Sequence, residues 1–308
     1  MKYYHLIAGL PDIEIEDNKL TFSIVNFRNE VRPQLSMIDA RLMDLFYMKF
    51  DNQNLLRYLK DKETPFDERG NITKDEMEEC FRLIGETNKP KNKFFLSYYE
   101  SVNRRLLSYF KPVSQYFLSY CITFVSEYRD AQQADDVDDA KWENRLAELY
   151  YRWAMNCNNK LIADWFEFNL NLNNILAATI SRKYKMSVDV VGDNKVSESI
   201  KTSKQRDFGL GETIEDLDIY QRIADEADFF EREKKIDLLK WQWLDEQTFF
   251  KYFSIEVLFA YLIKLEIIER WVSLDPVEGG KLFRKFIESL KDSVVNSPES
   301  INLQTNEL

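Results

Sequence analysis

The chain has 308 residues, 44% of them hydrophobic and 14% aromatic, which is enough for a sizeable core in one elongated domain or two smaller ones and excludes disorder for most of its length. A formal net charge of −11 excludes DNA or RNA as a main partner, because an acidic excess gains nothing from the counterion release that drives nucleic-acid binding. Only 8 glycines and 7 prolines punctuate long stretches of Leu, Ile, Phe, Glu, Lys and Asp, so a turn-rich β architecture is excluded and an all-α fold is predicted, an elongated multi-helix bundle with long helices.

Taken in chain order, residues 3–10 are too short for a helix before Pro11, and their Tyr and Ile content predicts a small strand or an extended arm. Lys2 alone precedes a short apolar patch that turns acidic at once, which does not make a signal peptide. Helical spacing over 21–35 and again over 36–59 predicts two helices; Leu42, Leu45, Phe46 and Phe50 mark a buried face, and Ser36 can cap the second. A charged loop containing Pro65 and Gly70 follows, and Thr73 opens a capping box with Glu76 for a helix to about residue 84. After Gly85 and Pro90, a pattern rich in Phe and Tyr runs over 94–129, with a kink expected at Pro112.

A polar hinge then opens the longest predicted helix, 138–185, whose buried face is marked by Trp142, Leu146, Leu149, Trp153, Leu161, Trp165 and Phe168. Residues 187–211 are polar and hold three glycines, so they predict a linker or mobile loop. Helices are expected over 213–245, 247–271 and 276–293, with a disordered tail from 296 to 308. The division expected is an N-terminal helical region, 1–130, and a C-terminal one, 131–308, or one continuous elongated architecture. The run 247–271 is apolar on nearly every side yet carries Glu256, Lys264, Glu266, Glu269 and Arg270. A surface helix would keep a polar stripe, and a membrane span needs roughly 20 apolar residues with few charges, so a central helix buried by its neighbours is predicted.

Equipment for catalysis is sparse. Cys80, Cys121 and Cys157 are odd in number and lack metal-ligand spacing, which fits free thiols in a reducing compartment and, with the absence of a predicted span, a cytoplasmic location. Asp135, Asp136, Asp138 and Asp139 satisfy the spacing by which helical prenyl-diphosphate enzymes hold magnesium. Magnesium at such a site also wants converging Lys and Arg and apolar walls, and this polar stretch reads better as the solvated start of a helix. His5, the single histidine, confines any histidine-based scheme to one residue in the N-terminal arm. Gly209 and Gly211 lack the Lys and Ser of a phosphate loop, and Trp241 and Trp243 read as packing residues rather than a ligand cage. No cofactor and no metal is expected.

Residues 163–184 carry an aromatic-acidic entry, the pair Asn174 and Ile175, and a basic end at Arg182 and Lys183. Residues 253–280 carry Tyr261, Lys264, Glu266, Glu269 and a Gly-bearing turn at Gly279 in that order. Both segments resemble the C-subunit (or d-subunit) family of V-type and archaeal-type rotary ATPases. The amino-terminal Tyr3, Tyr4, Leu6, Ala8, Leu10 and Pro11 also resemble the start of a family encoded in bacterial V-type ATPase gene clusters, notably of the Bacteroidetes, where it stands in for the C-subunit.

The resemblance implies a non-catalytic adaptor with an all-helical, funnel-like body. Such a part sits on the cytoplasmic face of the membrane, peripheral and without direct insertion, and links the central-stalk subunits to the membrane rotor ring while transmitting torque. The eight signature residues are then internal struts or interface contacts, and buried helices keep such charges only when they are paired. The alternatives are an all-helical magnesium-dependent prenyl-diphosphate enzyme and a helical scaffold with unrelated partners.

Overall fold

The computed structural model describes residues 2–15, 17, 22–61, 63–78, 81, 120–133, 138–187 and 189–274. Every regular element among them is helical, so the fold is all-α. The helices are α1 (Tyr4–Ala8), α2 (Ile24–Val31) extended by a 3-10 turn (Arg32–Gln34), α3 (Met37–Lys60), α4 (Ile122–Gln133), α5 (Asp139–Met155), α6 (Lys160–Tyr184), α7 (Lys195–Thr202), α8 (Leu217–Asp225), α9 (Phe229–Thr248) and α10 (Ile255–Leu274). A further helical turn covers 74–78. The expectations for 94–119 with Pro112, for 276–293, for the tail and for Cys80 fall outside the described residues.

The chain forms two compact units, one from residues 1–35 with 239–308 and one from 36–238. This differs from the expected division near residue 130, and the reason is packing. Helices α4 and α5 face each other across that position: Trp142 meets the rings of Phe124 and Tyr128 edge-on at 5.7 and 5.2 Å, and Arg145 binds Glu127 at 2.8 Å.

In the unit 36–238, α3 begins where Ser36 Oγ accepts the Asp39 amide at 3.3 Å. Its apolar face buries Leu42, Leu45, Phe46 and Phe50, as the spacing predicted. The same helix also buries Asp44, Asp51, Asn52 and Asn54. Such groups must be hydrogen-bonded to be tolerated, and Asp51, Asn52 and Asn54 are. Asn54 exchanges two 2.8 Å bonds with the backbone of Asp67, Asp51 accepts from the Ile72 amide at 3.1 Å and from Asn71 at 2.9 Å, and Asn52 accepts from the Tyr120 hydroxyl at 2.8 Å. The bonds of Asn54 and Asp51 press the 67–72 loop onto α3, leading into the expected capping box of Thr73 and Glu76, which forms with both reciprocal bonds.

Five expected elements break differently. The N-terminal segment is the single-turn helix α1 rather than a strand or arm, because Pro11 leaves room for one turn and the backbone closes locally, Ile7 N–H to Tyr3 C=O at 2.9 Å. The predicted helix 138–185 is two helices, since Asn156 turns its amide back onto the Arg152 carbonyl at 2.7 Å and Asn159 caps the start of α6 at 3.1 Å. Trp153, on the last turn of α5, is exposed in consequence. The expected loop 187–211 contains α7, capped by Asn194 at 2.8 Å, and buries Val196, Ile200, Phe208 and Leu210. The run 213–245 breaks between α8 and α9 at residues 226–228, where Asp228 takes the amides of Phe230 and Glu231 at 2.8 and 3.0 Å.

The fifth, the run 247–271, is divided by a turn at 249–254, with α9 before it and α10 after. Helix α10 is buried nearly all round, through Leu258, Phe259, Leu262, Leu265, Ile268 and Trp271 among others, and it packs against α2. No helix of the described residues is long and apolar enough to cross a membrane.

A Cβ at Gly70 would overlap the Asp51 carboxylate oxygen. Gly70→Ala is therefore expected to lower stability by about 1–3 kcal/mol, read as an earlier urea midpoint. A midpoint equal to that of the native chain would show that the 67–72 loop does not depend on this close approach.

Candidate functional site

The eight signature residues divide evenly between the two units, with Asn174, Ile175, Arg182 and Lys183 on α6 in one and Tyr261, Lys264, Glu266 and Glu269 on α10 in the other.

On α6, Ile175 is a core residue with no exposed surface. Asn174, buried beside it, donates to the Val191 carbonyl at 2.8 Å and to Ser197 Oγ at 3.1 Å, and accepts from the Val191 amide at 3.0 Å. One turn earlier, Asn171 accepts from Asn194 at 2.8 Å. The two asparagines thus hold the 189–194 segment and the start of α7 against α6, each amide doing for a loop what a neighbouring backbone does in regular structure.

At the end of α6, Arg182 donates to the carbonyls of Gln205 and Ser203, the latter at 2.6 Å, and its guanidinium lies 3.8 Å from the centre of the Phe208 ring. Ser203 is the residue that ends α7, so Arg182 supplies donors where a helix has run out of them. Phe208 is held at φ 57°, a conformation unfavourable for a bulky residue, and its burial together with the stacked guanidinium offsets that strain. Lys183 reaches the Asp225 carbonyl at 3.3 Å and its carboxylate at 3.6 Å. Asp225 is the last residue of α8, and a cation there also complements the helix dipole.

On α10, Glu269 accepts from the Ile24 amide at 2.8 Å, the first residue of α2, while Ser23 takes the Asn26 amide at 3.1 Å. Two donors at the start of α2 are thereby satisfied, one by its own cap and one from a helix 245 positions away in sequence. Lys264 pairs with Asp245 of α9 and lies 4.7 Å from the centre of the Trp241 ring, with 16% of its side chain exposed. Tyr261 stacks on Phe27 at 5.4 Å and donates to the Pro11 carbonyl at 2.9 Å. Burial, then the nearby Asp12 and Asp17, push its hydroxyl up to about 12. Glu266 is half-buried on the same helix.

The remaining candidates have structural employment. Asp138 caps α5 through the Ala140 amide at 3.1 Å, and Asp139 pairs with Lys60 of α3 at 3.0 Å; Asp135 and Asp136 lie outside the described residues. Among the described residues, no group of three or more His, Cys, Asp or Glu side chains is placed to hold a metal ion. His5 lies on α1 against the Tyr4 ring at 5.3 Å. Trp241 offers its ring to Lys264, while Cys121 is buried and burial raises the Cys157 thiol. An open groove of about 600 Å³ runs along α7, lined by Lys195, Glu198, Ser199, Lys201, Thr202 and Thr213 among others, and Lys201 is drawn to the Gly192 carbonyl at 2.8 Å.

Sequence reasoning missed Lys234, which is fully buried, bonded to Glu231 at 2.9 Å and 4.5 Å from the Phe230 ring centre. Its setting in a run of Glu, Arg and Lys hides it, since such runs ordinarily face water. It also missed the turn at 249–254, where aromatic residues imitate a core pattern; Ser254, just before α10, was the available sign of a break.

Asn174→Ala would leave the Val191 amide without its acceptor and Ser197 without a donor, at a cost of about 1–3 kcal/mol in urea unfolding, with faster hydrogen exchange at Val191. An unchanged exchange rate would count against the strut role. Tyr151, Tyr220 and Tyr261 all have hydroxyls raised to about 12, with burial the first cause in each. The folded chain thus keeps protons that the unfolded chain releases near pH 10. The stability they confer is complete below pH 10 and is lost as pH rises through 12. Tyr261→Phe is expected to flatten this decline in alkaline denaturation curves; a slope equal to that of the native chain would place the loss elsewhere.

A family model described as "Protein of unknown function (DUF2764)" matches residues 1–294 of the chain. No curated protein and no solved structure gives a match. The match takes in both compact units and all eight signature residues, and on that extent the chain belongs to the DUF2764 family.

Proposed function

We propose that this protein is a non-catalytic adaptor of a V-type rotary ATPase, joining central-stalk subunits to the membrane rotor ring and carrying torque between them. The observation that supports this reading most is the employment of the charged signature residues: Arg182, Lys183, Lys264 and Glu269 each tie one helix to another segment of the same unit. A part that transmits torque needs helices that do not slide on one another. Charged and polar ties between helices resist sliding in a way that apolar packing, being non-directional, does not.

The resemblance of 163–184 and 253–280 to the C-subunit family names the assembly, and the acidic excess of the chain suits basic loops on its partners. In this reading the protein is cytoplasmic, is peripheral to the membrane and has no active site of its own. The magnesium-dependent enzyme alternative draws on Asp135 to Asp139, and the carboxylates of Asp138 and Asp139 are already engaged as a helix cap and an ion pair.

Tagged protein expressed in its own host and recovered from solubilised membranes is expected to carry stalk and ring subunits of the ATPase, identified by mass spectrometry. Recovery of the intact tagged chain with neither set of subunits would overturn the proposal.

A further inference from the structure

The turn between α9 and α10 displays its aromatic side chains rather than burying them. Phe249, Phe250 and Tyr252 are 68%, 81% and 72% exposed, and Lys251 between them is exposed as well. Leaving one large apolar side chain in water is ordinary, whereas three within four positions make a patch of the kind that marks an interaction site. The backbone beneath them is ordered: Lys251 N–H donates to Thr248 C=O at 2.8 Å and Tyr3 N–H to Phe253 C=O at 3.3 Å. Phe253 itself sits at φ 51° with its ring against Tyr4 at 4.8 Å, so the turn accepts a strained residue while its neighbours point outward. Tyr4, half exposed on α1, extends the patch.

Charge separates this tip from the rest of the chain. Between Glu246 and Glu256 there is no acidic residue, and Lys251 is central, in a protein with 53 Asp and Glu and a net charge of −11. Phe249 and Phe250 meet edge to face with ring centres 4.8 Å apart, so the two exposed rings form one apolar surface beside Lys251. Tyr and Lys have apolar bodies with polar ends, the combination that settles at headgroup depth.

We propose that the α9–α10 turn is a docking tip for an anionic lipid surface, with Phe249, Phe250 and Tyr252 entering the headgroup region and Lys251 meeting lipid phosphate. The contact is superficial, since no described helix can span a bilayer, and it confines approach to this tip because the acidic remainder is repelled over about a Debye length. It stands independently of the ATPase reading.

The purified full chain is tested by sedimentation with vesicles of phosphatidylcholine alone or mixed with phosphatidylglycerol, without any stalk or ring subunit. The native chain is expected to pellet with the mixed vesicles, Phe249→Ser with Phe250→Ser to weaken this about tenfold or more, and Lys251→Glu to weaken it about fivefold or more. These side chains are exposed, so the variants should keep the native melting temperature, and helical circular dichroism confirms the fold. Native protein that stays in the supernatant with both vesicle types, or a double variant that binds as the native chain does, overturns the proposal. Self-association of the native chain that the double variant loses, with neither pelleting, assigns the tip to a protein partner and likewise overturns it.

Discussion

A helix leaves backbone donors unsatisfied at its start and acceptors unsatisfied at its end, and a chain built of many helices has many such ends to satisfy. This constraint organises the molecule more than any single apolar contact does. Some ends are met locally, by Ser23, Ser36, Asn159, Asn194 and Asp228. Others are met from a distance: Glu269 serves the start of α2, Lys183 the end of α8, and Arg182 the carbonyls just past α7. Each distant tie costs the desolvation of a charge, and the apolar faces that bring the helices together set the geometry in which the tie forms. Packing and polar satisfaction therefore specify one another, and a helix cannot shift along its neighbour without leaving a charge or an amide unpaired.

The same logic accounts for polar residues in places where composition alone would expect Leu or Ile. Along α3, Asp51 and Asn54 are buried because the 67–72 loop has backbone groups that need partners there. Along α6, Asn171 and Asn174 do the same for the segment before α7. A buried amide or carboxylate is favourable only when its partners are fixed, so each such residue selects one loop conformation out of many.

The part of this arrangement that was legible in the sequence is the part carried by neighbours in the chain. Ser36 and the Thr73 and Glu76 pair announce helix starts because cap and capped amide lie within three positions. The all-α class follows from scarce Gly and Pro. Where the expected elements and the observed ones part, apolar residues stand at helical intervals on both sides of a break: Leu146 and Leu149 before Asn156 to Asn159, Leu161 and Trp165 after them, and Phe249 to Phe253 look like core. The asparagines and Ser254 were the contrary signal, outweighed by the rhythm around them. Partners far apart in sequence were beyond reach, since nothing near Glu269 refers to Ile24 and nothing near Arg182 refers to Ser203. The signature positions could be singled out by order and spacing, whereas their roles as helix ties required the fold.

The bond from Tyr261 to Pro11, with Glu269 on Ile24, closes a unit from two segments that an uninterrupted stretch of about two hundred residues separates in sequence. On the ribosome residues 1–35 emerge long before α10. The unit 36–238 is contiguous and can condense while translation continues, whereas residues 1–35 must wait for α10 to leave the exit tunnel. The apolar surface of α10 appears after the whole of the unit 36–238 and has its partner already made and waiting. An amino-terminal deletion would thus strand the most hydrophobic helix of the described chain at the moment of its release, and aggregation of the newborn chain rather than a local fault would be the visible result.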